Sequence, residues 1–215
     1  MTAAPPPPPR QVIRSVVPAP LRNRLIALAA TIAVGGGGAI VGTSGPSPEV
    51  LLAQEIGSWY ESSGRHIGVP YVDKVGKGQP LTVCNGITGP EVVTNRYYTP
   101  EDCKRLELPH YLKAEKLAKS RLRYWDEYNI WVRASFIDMA FNVPSALEPS
   151  TTIVREANAG HLSAACAQMT RWVMGTVKGQ KVRLRGLVDR RGTTDELCRD
   201  WGRDGHFSTA EASNG

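Results

Sequence analysis

The sequence predicts an α+β fold, in which a short β-rich stretch lies between predominantly helical segments. Glycine and proline recur between residues 64 and 89, and the apolar runs there, 69–72 and 81–83, are short and of β type. This pattern predicts a small hairpin or a three-stranded sheet. Elsewhere, apolar residues recur with the helical period of about 3.6 residues. A chain of 215 residues accommodates one main domain with additional segments.

Capping sequences indicate where the helices begin. Ser47-Pro48-Glu49 combines an N-cap, a first-turn proline and an acid facing the helix dipole, and it predicts a helix that ends by residues 62–64. Thr99-Pro100-Glu101-Asp102 reads as a capping box that opens a long charged helix over residues 100–122. Three later helices are expected from Ile130 to Phe141, from a cap at Ser150 to Gly160, and along the apolar stripe from Leu162 to Val173.

Charge is distributed unevenly. The net charge is +6, but residues 1–46 hold four arginines and no acid, so the remainder carries only +2. A nucleic-acid binder usually shows a strong basic stripe, and the sequence therefore argues against nucleic acid as a partner. The folded domain is expected over residues 47–202, followed by a flexible tail over 203–215.

Residues 22–45 are predicted to form a weak transmembrane signal-anchor behind a proline- and arginine-rich tail, residues 1–21. About 18 uncharged residues follow Arg22 and Arg24, which is near the lower limit for a membrane span. The positive-inside rule places the tail in the cytoplasm and the body outside. Gly35 to Gly38 weaken lipid transfer, which favours an anchor that can leave the membrane. A cleaved signal peptide, a stable anchor and a buried helix of a soluble body are the alternatives, the last disfavoured because successive glycines serve no core.

Four cysteines follow the apolar segment. An even number in an exported domain suits two disulfides, whereas reduced, partly buried thiols are the alternative. The spacings contain no zinc-type pair, and three connectivities are open. The pairing we expect is Cys84 with Cys103 and Cys166 with Cys198.

Glu61, Asp73 and Thr82 are the candidate catalytic residues. Glu61 stands at the end of the first predicted helix of the body, and the other two lie in the β-rich stretch. Glycosidic cleavage commonly uses two carboxyl groups, one to protonate the leaving oxygen and one to stabilise the transition state or prepare water. Desolvation beside Trp59 and Tyr60 would raise the pKa of a proton-donating glutamate. Taken singly, these residues also suit a solvated surface acid, a turn former and an ordinary strand residue.

An ordered series of motifs over residues 48–201 resembles the phage-type lysozymes of glycoside hydrolase family 24. The matching stretches are Glu61, Tyr71-Val72-Asp73-Lys74-Val75-Gly76, Thr82-Val83-Cys84-Asn85-Gly86-Ile87-Thr88, Phe136 to Val143, Asn158-Ala159-Gly160, Cys166 to Trp172, and Gly186-Leu187-Val188-Asp189-Arg190-Arg191. The resemblance implies a lysozyme-like fold with a small β-hairpin lobe, a larger helical lobe and a cleft between them.

The resemblance also implies an activity. Glu61 would be the general acid, Asp73 the second carboxylate, and Thr82 would position the attacking water. The substrate would be the β-1,4 bond between N-acetylmuramic acid and N-acetylglucosamine in peptidoglycan, cleaved during phage-induced host lysis without a metal or organic cofactor. We expect a monomer, attached first to the host inner membrane with its catalytic domain in the periplasm and then released into the periplasm.

The sequence departs from the family pattern in the spacing of the three residues. Both separations are longer than usual, which predicts loop insertions at 62–68 and 76–80, and Cys84 replaces a hairpin glycine. Glu55 is therefore kept as the alternative acid. His66 is read as a loop residue that could contact substrate, and Arg190 and Arg191 are read as structural.

Two other functions and the stereochemistry are left open by the sequence. A catalytically inactive, membrane-tethered wall-binding protein and an unrelated exported helical protein are the alternatives. The stereochemical outcome is also open, because it depends on the separation of the carboxyl groups in space.

Overall fold

The computed structural model describes residues 15–35, 45–62, 65–73, 78–177 and 179–202. Within these residues, the helices are α1 (Ala19–Gly35), α2 (Pro48–Ser62), α3 (Pro100–Arg121), α4 (Ile130–Asn142), α5 (Thr152–Asn158), α6 (Leu162–Gln168) and α7 (Arg185–Asp200). The strands are β1 (Tyr71–Val72), β2 (Leu81–Val83), β3 (Ile87–Thr88), β4 (Met174–Val177) and β5 (Gln180–Arg183). Short 3-10 helices cover Trp125–Glu127, Pro144–Leu147 and Met169–Arg171.

The predicted helix starts are largely confirmed. The Thr99 hydroxyl accepts a hydrogen bond from the backbone of Asp102, whose carboxylate accepts from the Thr99 backbone, so the capping box of α3 is formed. The Ser47 hydroxyl accepts the amide of Val50 at 3.4 Å at the start of α2. The predicted cap of α5 was wrong by one residue, because Thr151 rather than Ser150 receives the amide of Val154. The Thr151 hydroxyl also lies 2.9 Å from the carbonyl of Ala146, which fixes it at the helix start.

The β-rich stretch forms the predicted three-stranded antiparallel sheet, in the order β1-β2-β3. Tyr71 pairs with Thr82 across the first ladder, and Thr82 pairs with Thr88 across the second. The turn between β2 and β3 places Cys84 at a φ of +56° and Gly86 at +87°. Left-handed backbone is costly for a residue with a side chain, so the surroundings of Cys84 must hold this turn.

A second antiparallel hairpin, β4–β5, was not predicted. Its strands span 174–183, between the last 3-10 helix and α7. Most of its side chains are exposed. A half-buried strand is recognised in a sequence by alternating apolar and polar residues, and the strands of this hairpin show little such alternation.

The buried apolar residues fall into two clusters. The larger cluster joins the helices, with Ile56 of α2, Phe136 of α4 and Leu197 of α7 all fully buried. The smaller cluster lies in the β lobe and is formed by Val83, Cys84, Ile87, Val92, Tyr98, Cys103 and Leu106. Helix α3 contributes to both clusters, so it connects the β lobe to the helical lobe. The predicted α+β architecture, with a small β lobe and a larger helical lobe, is confirmed.

Both expected disulfides are present. Cys84 is bonded to Cys103, which ties the β2–β3 turn to the first turn of α3. Cys166 is bonded to Cys198, which ties α6 to α7. The first disulfide therefore lies within the smaller apolar cluster and the second within the larger one.

Helix α1 packs on the helical lobe. Val17 just before the helix and Leu21 and Leu25 within it are buried in the large cluster, and Arg24 lies 3.2 Å from Glu55 of α2. The Glu196 carboxylate accepts the Ser15 hydroxyl and the Val16 amide, both at 2.6 Å. This is the arrangement that the sequence disfavoured for the segment.

The membrane role of the N-terminal segment stays a prediction. Among the described residues, no helix is both long enough and apolar enough to cross a bilayer. The predicted anchor over 22–45 continues through residues 36–44, which lie outside the described residues. Residues 1–14 of the predicted tail and residues 203–215 also lie outside them.

Candidate active site

Glu61 lies in the last turn of α2, where the helix reaches the protein surface. Its side chain is about one-third exposed, 33%. The Oε1 atom accepts Nη1 of Arg190 at 2.5 Å and Nδ2 of Asn142 at 3.5 Å. The preceding aromatic residues, Trp59 and Tyr60, pack against the helical core, and Tyr60 bonds to Thr193. Glu61 is thus hydrogen-bonded to an arginine and an asparagine, and the expected desolvation by Trp59 and Tyr60 stays a prediction.

A buried ion cluster holds Arg190 in place. Asp138 of α4 is fully buried, and its carboxylate accepts hydrogen bonds from Nη2 of Arg190 at 2.7 Å and from Nε at 3.1 Å. Arg191 contacts Asp138 at 3.2 Å and also donates to the side chain of Asn142. Burial lowers the pKa of Arg190, but Asp138 and Glu61 raise it by more, so the pKa lies above its usual range. Asp138 and Glu61 together supply two carboxylates opposite two guanidinium groups.

Asp73 and Thr82 are brought together by the sheet. Asp73 directly follows β1, and its amide donates to the carbonyl of Pro80 at 3.0 Å. The Thr82 hydroxyl, on β2, donates to the same carbonyl at 3.1 Å. Thr82 is only 2% exposed, whereas Asp73 is half-buried. Strand pairing thus places both predicted residues beside one backbone acceptor.

Glu107 of α3 is bonded to the β2–β3 turn and is near enough to Glu61 to interact with it electrostatically. It is 2% exposed, and its Oε1 accepts Nδ2 of Asn85 at 2.8 Å. The pKa of Glu107 is raised to about 7, mainly by burial. The Asn85 side chain and backbone lower this pKa, and the nearby Glu61 carboxylate contributes to raising it. Sequence reasoning missed this residue, because a single glutamate within a charged helix gives no sign of burial.

Glu55 and His66 have other partners. Glu55, the alternative acid, lies 3.2 Å from Arg24 and 3.9 Å from Lys104. One ring nitrogen of His66 is 2.6 Å from the carbonyl of Tyr98. Both residues line a cavity of about 250 Å³ that also reaches Glu107. The predicted insertions fall partly outside the described residues, which omit 63–64 and 74–77.

A larger groove of about 620 Å³ is lined in part by Val143, the residue after the Asn142 that contacts Glu61. The groove extends to the β4–β5 hairpin and is lined by both apolar and polar side chains. Its polar members are Ser145, Ser150, Thr151, Thr152, Gln168, Arg171 and Lys181. Hydroxyl, amide and cationic groups of this kind are suited to a polar polymer.

Arg190 is the second residue whose place at the site sequence reasoning missed. It was read as structural, and its bonds to Asp138 justify that reading, but the same guanidinium also binds Glu61. The sequence carries no sign of this role, because an arginine on a polar helix is usually solvated.

The fold and the site define a lysozyme-type glycoside hydrolase, with a glutamate at the end of a helix of the larger lobe and a smaller lobe carrying an aspartate and a threonine. Comparison with known proteins agrees. The phage lysozyme family model matches residues 63–194, which is more than half of the chain. The chain therefore belongs to the phage lysozyme family, and it is a lysozyme whose substrate is peptidoglycan.

Relatives and solved structures include several phage enzymes. A SAR-endolysin of Enterobacteria phage P21 is 28% identical over 134 residues, covering 62% of this chain and 75% of the relative. A SAR-endolysin of Escherichia phage Mu is 33% identical over 126 residues, covering 57% and 66%. The fold is similar to that of the endolysin from Escherichia coli O157:H7 phage FAHEc1, with a TM-score of 0.60, 20% identity and coverage of 74% of this chain and 96% of that one. The active form of P1 phage endolysin Lyz gives a TM-score of 0.54 at 19% identity, covering 81% and 92%.

Proposed function

We propose that this lysozyme is an endolysin that hydrolyses the β-1,4 bond between N-acetylmuramic acid and N-acetylglucosamine during phage-induced host lysis. The observation that carries the proposal is the position of Glu61, partly exposed at the end of α2 and held there by Arg190. The names of the SAR-endolysin relatives support the role in lysis.

In the proposed mechanism, Glu61 is the general acid that protonates the leaving glycosidic oxygen. Arg190 and Asn142 both bind Oε1 of Glu61, so proton transfer is assigned to Oε2. Asp73 is the second carboxylate, and Thr82 orients the attacking water through its hydroxyl oxygen. The backbone amide of Asp73 and the hydroxyl of Thr82 both donate to the Pro80 carbonyl, which holds the backbone of Asp73 beside Thr82.

The groove lined by Val143 and Trp172 is the proposed binding site for the wall polymer on the helical lobe. Its volume of about 620 Å³ accommodates only part of a glycan strand with its peptide. Hydroxyl groups of Ser150 and Thr152 suit sugar and peptide amides, and Arg171 and Lys181 suit peptide carboxylates.

Two matched substitutions on α2 test the catalytic assignment. Glu61→Gln keeps the shape of the side chain but removes the acid, and loss of a general acid lowers kcat by a factor of about 100 to 10,000. Glu55→Gln, six residues earlier, is expected to retain wall-clearing activity. The measurement is hydrolysis of purified peptidoglycan by the full chain, with thermal melting of each variant. Activity lost in Glu55→Gln and retained in Glu61→Gln would reverse the assignment.

We further propose that residues 22–45 first anchor the chain in the host inner membrane, with the catalytic domain in the periplasm, and that the chain is then released. The support is the arginine-flanked apolar segment and the kinship with SAR-endolysins. In the released form α1 packs on the helical lobe, where Leu21 and Leu25 are buried. The tethered form, without this packing, is expected to be poorly active.

Leucine replacement of Gly35 to Gly38 tests the release step. Four leucines raise the apolarity of the segment, and the protein should then stay in the membrane fraction of expressing cells. We expect delayed lysis, whereas replacement by alanine should change the partition less. Lysis by the leucine variant at the normal time would contradict the release proposal.

A further inference from the structure

Glu107 is a buried acid that the proposed mechanism does not use. At 2% exposure it lies beside Leu106 and Cys103, both part of the apolar cluster of the β lobe. Burying a carboxyl group among apolar side chains costs free energy unless hydrogen bonds compensate. An apolar residue at this position would avoid that free-energy cost. The contacts of Glu107 therefore indicate the role of its carboxyl group.

The carboxyl group of Glu107 is bonded to Asn85. Its Oε1 accepts the side-chain amide of Asn85 at 2.8 Å, and the Asn85 backbone also lowers the pKa of the carboxyl group. Asn85 stands in the turn between β2 and β3, next to Cys84 with its left-handed backbone. The hydrogen bond therefore attaches the turn to α3.

The same face of α3 holds the turn a second time. Cys103 lies one helical turn before Glu107, and its disulfide joins the neighbouring turn residue, Cys84. Two adjacent residues of the turn, Cys84 and Asn85, are thus attached to two residues of α3 that lie one helical turn apart. Thr82 is only three residues before Asn85 on β2, so the position of Thr82 depends on this attachment.

Charged groups on several elements face Glu107. Glu61 of α2 is close enough to act on it electrostatically, and Lys104 of α3 acts in the opposite direction. The cavity that Glu107 lines also contains Arg24, Glu55, Arg65 and His66, and Tyr111 of α3 is near enough to be affected by Glu107. Glu107 therefore lies at the junction of the two parts of the site, the end of α2 and the sheet.

We propose that Glu107 is a positioning residue for hydrolysis, which holds the β2–β3 turn on α3 and thereby sets Thr82 and Asp73 opposite Glu61. This role rests on the proposed catalytic assignment. Asn85 is the contact through which Glu107 acts. Because Glu107 touches neither the glycan nor the water in this scheme, its loss should reduce turnover more than substrate binding.

Four single variants and one double variant of the full chain test the role. Glu107→Leu and Asn85→Ala each remove the link, Glu107→Gln keeps an acceptor for Asn85, and Glu101→Gln changes an exposed acid of the same helix. The measurement is kcat and KM on soluble peptidoglycan fragments, with melting temperature and near-UV circular dichroism for each variant. Displacement of a reacting group by about 1 Å can cost a factor of about 100.

We expect Glu107→Leu and Asn85→Ala to lower kcat by about 10- to 100-fold, with KM changed by less than about twofold. The double variant Glu107→Leu/Asn85→Ala should have a kcat no lower than that of the more impaired single variant, because both substitutions remove the same hydrogen bond. Glu107→Gln should retain kcat within about threefold, and Glu101→Gln should behave as the unmodified chain.

Unchanged kcat in Asn85→Ala would overturn the proposal, as would multiplicative losses in the double variant. Equal losses in Glu107→Gln and Glu107→Leu would also overturn it, because the charge and not the link would then matter. If Glu107→Leu fails to fold, Asn85→Ala decides. Glu61→Gln in the same assay distinguishes failure of the catalytic assignment from failure of the positioning role. An active Glu61→Gln variant refutes the catalytic assignment. An inactive Glu61→Gln variant together with a fully active Asn85→Ala variant refutes only the positioning role.

Discussion

Nη1 of Arg190 lies 2.5 Å from Oε1 of Glu61, and the same guanidinium group is bound by the fully buried Asp138. The candidate acid at the surface is thereby connected to the core of the helical lobe. Charge-assisted hydrogen bonds of this kind are short and directional, so they fix the carboxyl group against rotation. The stability of the lobe and the geometry of the site consequently depend on one residue.

Arg190→Met is expected to destabilise the protein by about 3 kcal/mol or more. The substitution removes a partner of Asp138 and leaves that buried carboxylate to Arg191 alone. Urea unfolding followed by circular dichroism measures the change. The matched control is Arg105→Met, which breaks an exposed pair with Asp102 and should cost no more than about 0.5 kcal/mol. Equal costs for the two substitutions would show that the buried cluster does not stabilise the lobe.

The sequence predicted the elements that have strong local signals. The capping box at Thr99 and the β-type run at 81–83 are both present, because turn chemistry and backbone hydrogen bonds decide these features locally. The β4–β5 hairpin escaped prediction since its exposed strands carry no alternation of burial. The packing of Leu21 and Leu25 of α1 escaped as well, because an apolar helix looks the same whether it enters a membrane or a protein core.

Glu61 lies at a helix end, Thr82 lies on β2 and Asp73 directly follows β1, whereas the catalytic roles of these three residues stay predictions. The partners of these residues could not be predicted in the same way. Glu107 and Arg190 reach the site through tertiary contacts over long sequence separations, and their own segments read as solvated helix faces. A single sequence shows which residue types are present but not which of them are buried.

Stability is expected to fall as pH rises through neutrality because of Glu107. Its pKa is raised from 4.5 to about 7 by burial, so the folded state binds the proton more tightly than the unfolded state does. The stabilising contribution is therefore complete below about pH 4.5 and is lost as pH rises through about 7, a change on the order of 3 kcal/mol. Urea unfolding at about pH 5 and pH 8 measures this loss.

The loss of unfolding free energy between about pH 5 and pH 8 should largely disappear in Glu107→Gln, because its side chain cannot ionise. Glu101→Gln, an exposed substitution on the same helix, should retain the pH dependence of the unmodified chain. A Glu107→Gln variant whose stability still falls by the full amount between the two pH values would show that another group is responsible.

Removing either disulfide should destabilise the protein by about 3 to 4 kcal/mol, since the bridges close loops of 19 and 32 residues. The effects on activity should differ. Replacement of Cys84 and Cys103 by alanine releases the turn next to Asn85, whereas replacement of Cys166 and Cys198 loosens α6 against α7 away from the sheet. Peptidoglycan hydrolysis measured well below the melting temperature of each variant distinguishes them. Greater loss of kcat in the second pair would contradict the importance of the turn.

Leu25→Ala tests whether α1 is part of the folded lysozyme once it is outside the membrane. Leu25 is fully buried in the core of the helical lobe, and truncation of a buried leucine costs about 2 to 5 kcal/mol because a cavity remains. Ile26, the next residue, is 51% exposed, so Ile26→Ala should cost about 0.5 kcal/mol or less. The two variants change the apolarity of the segment by similar amounts, which separates packing from membrane affinity. Equal unfolding free energies for both variants in detergent-free buffer would mean that α1 does not pack on the lobe in solution.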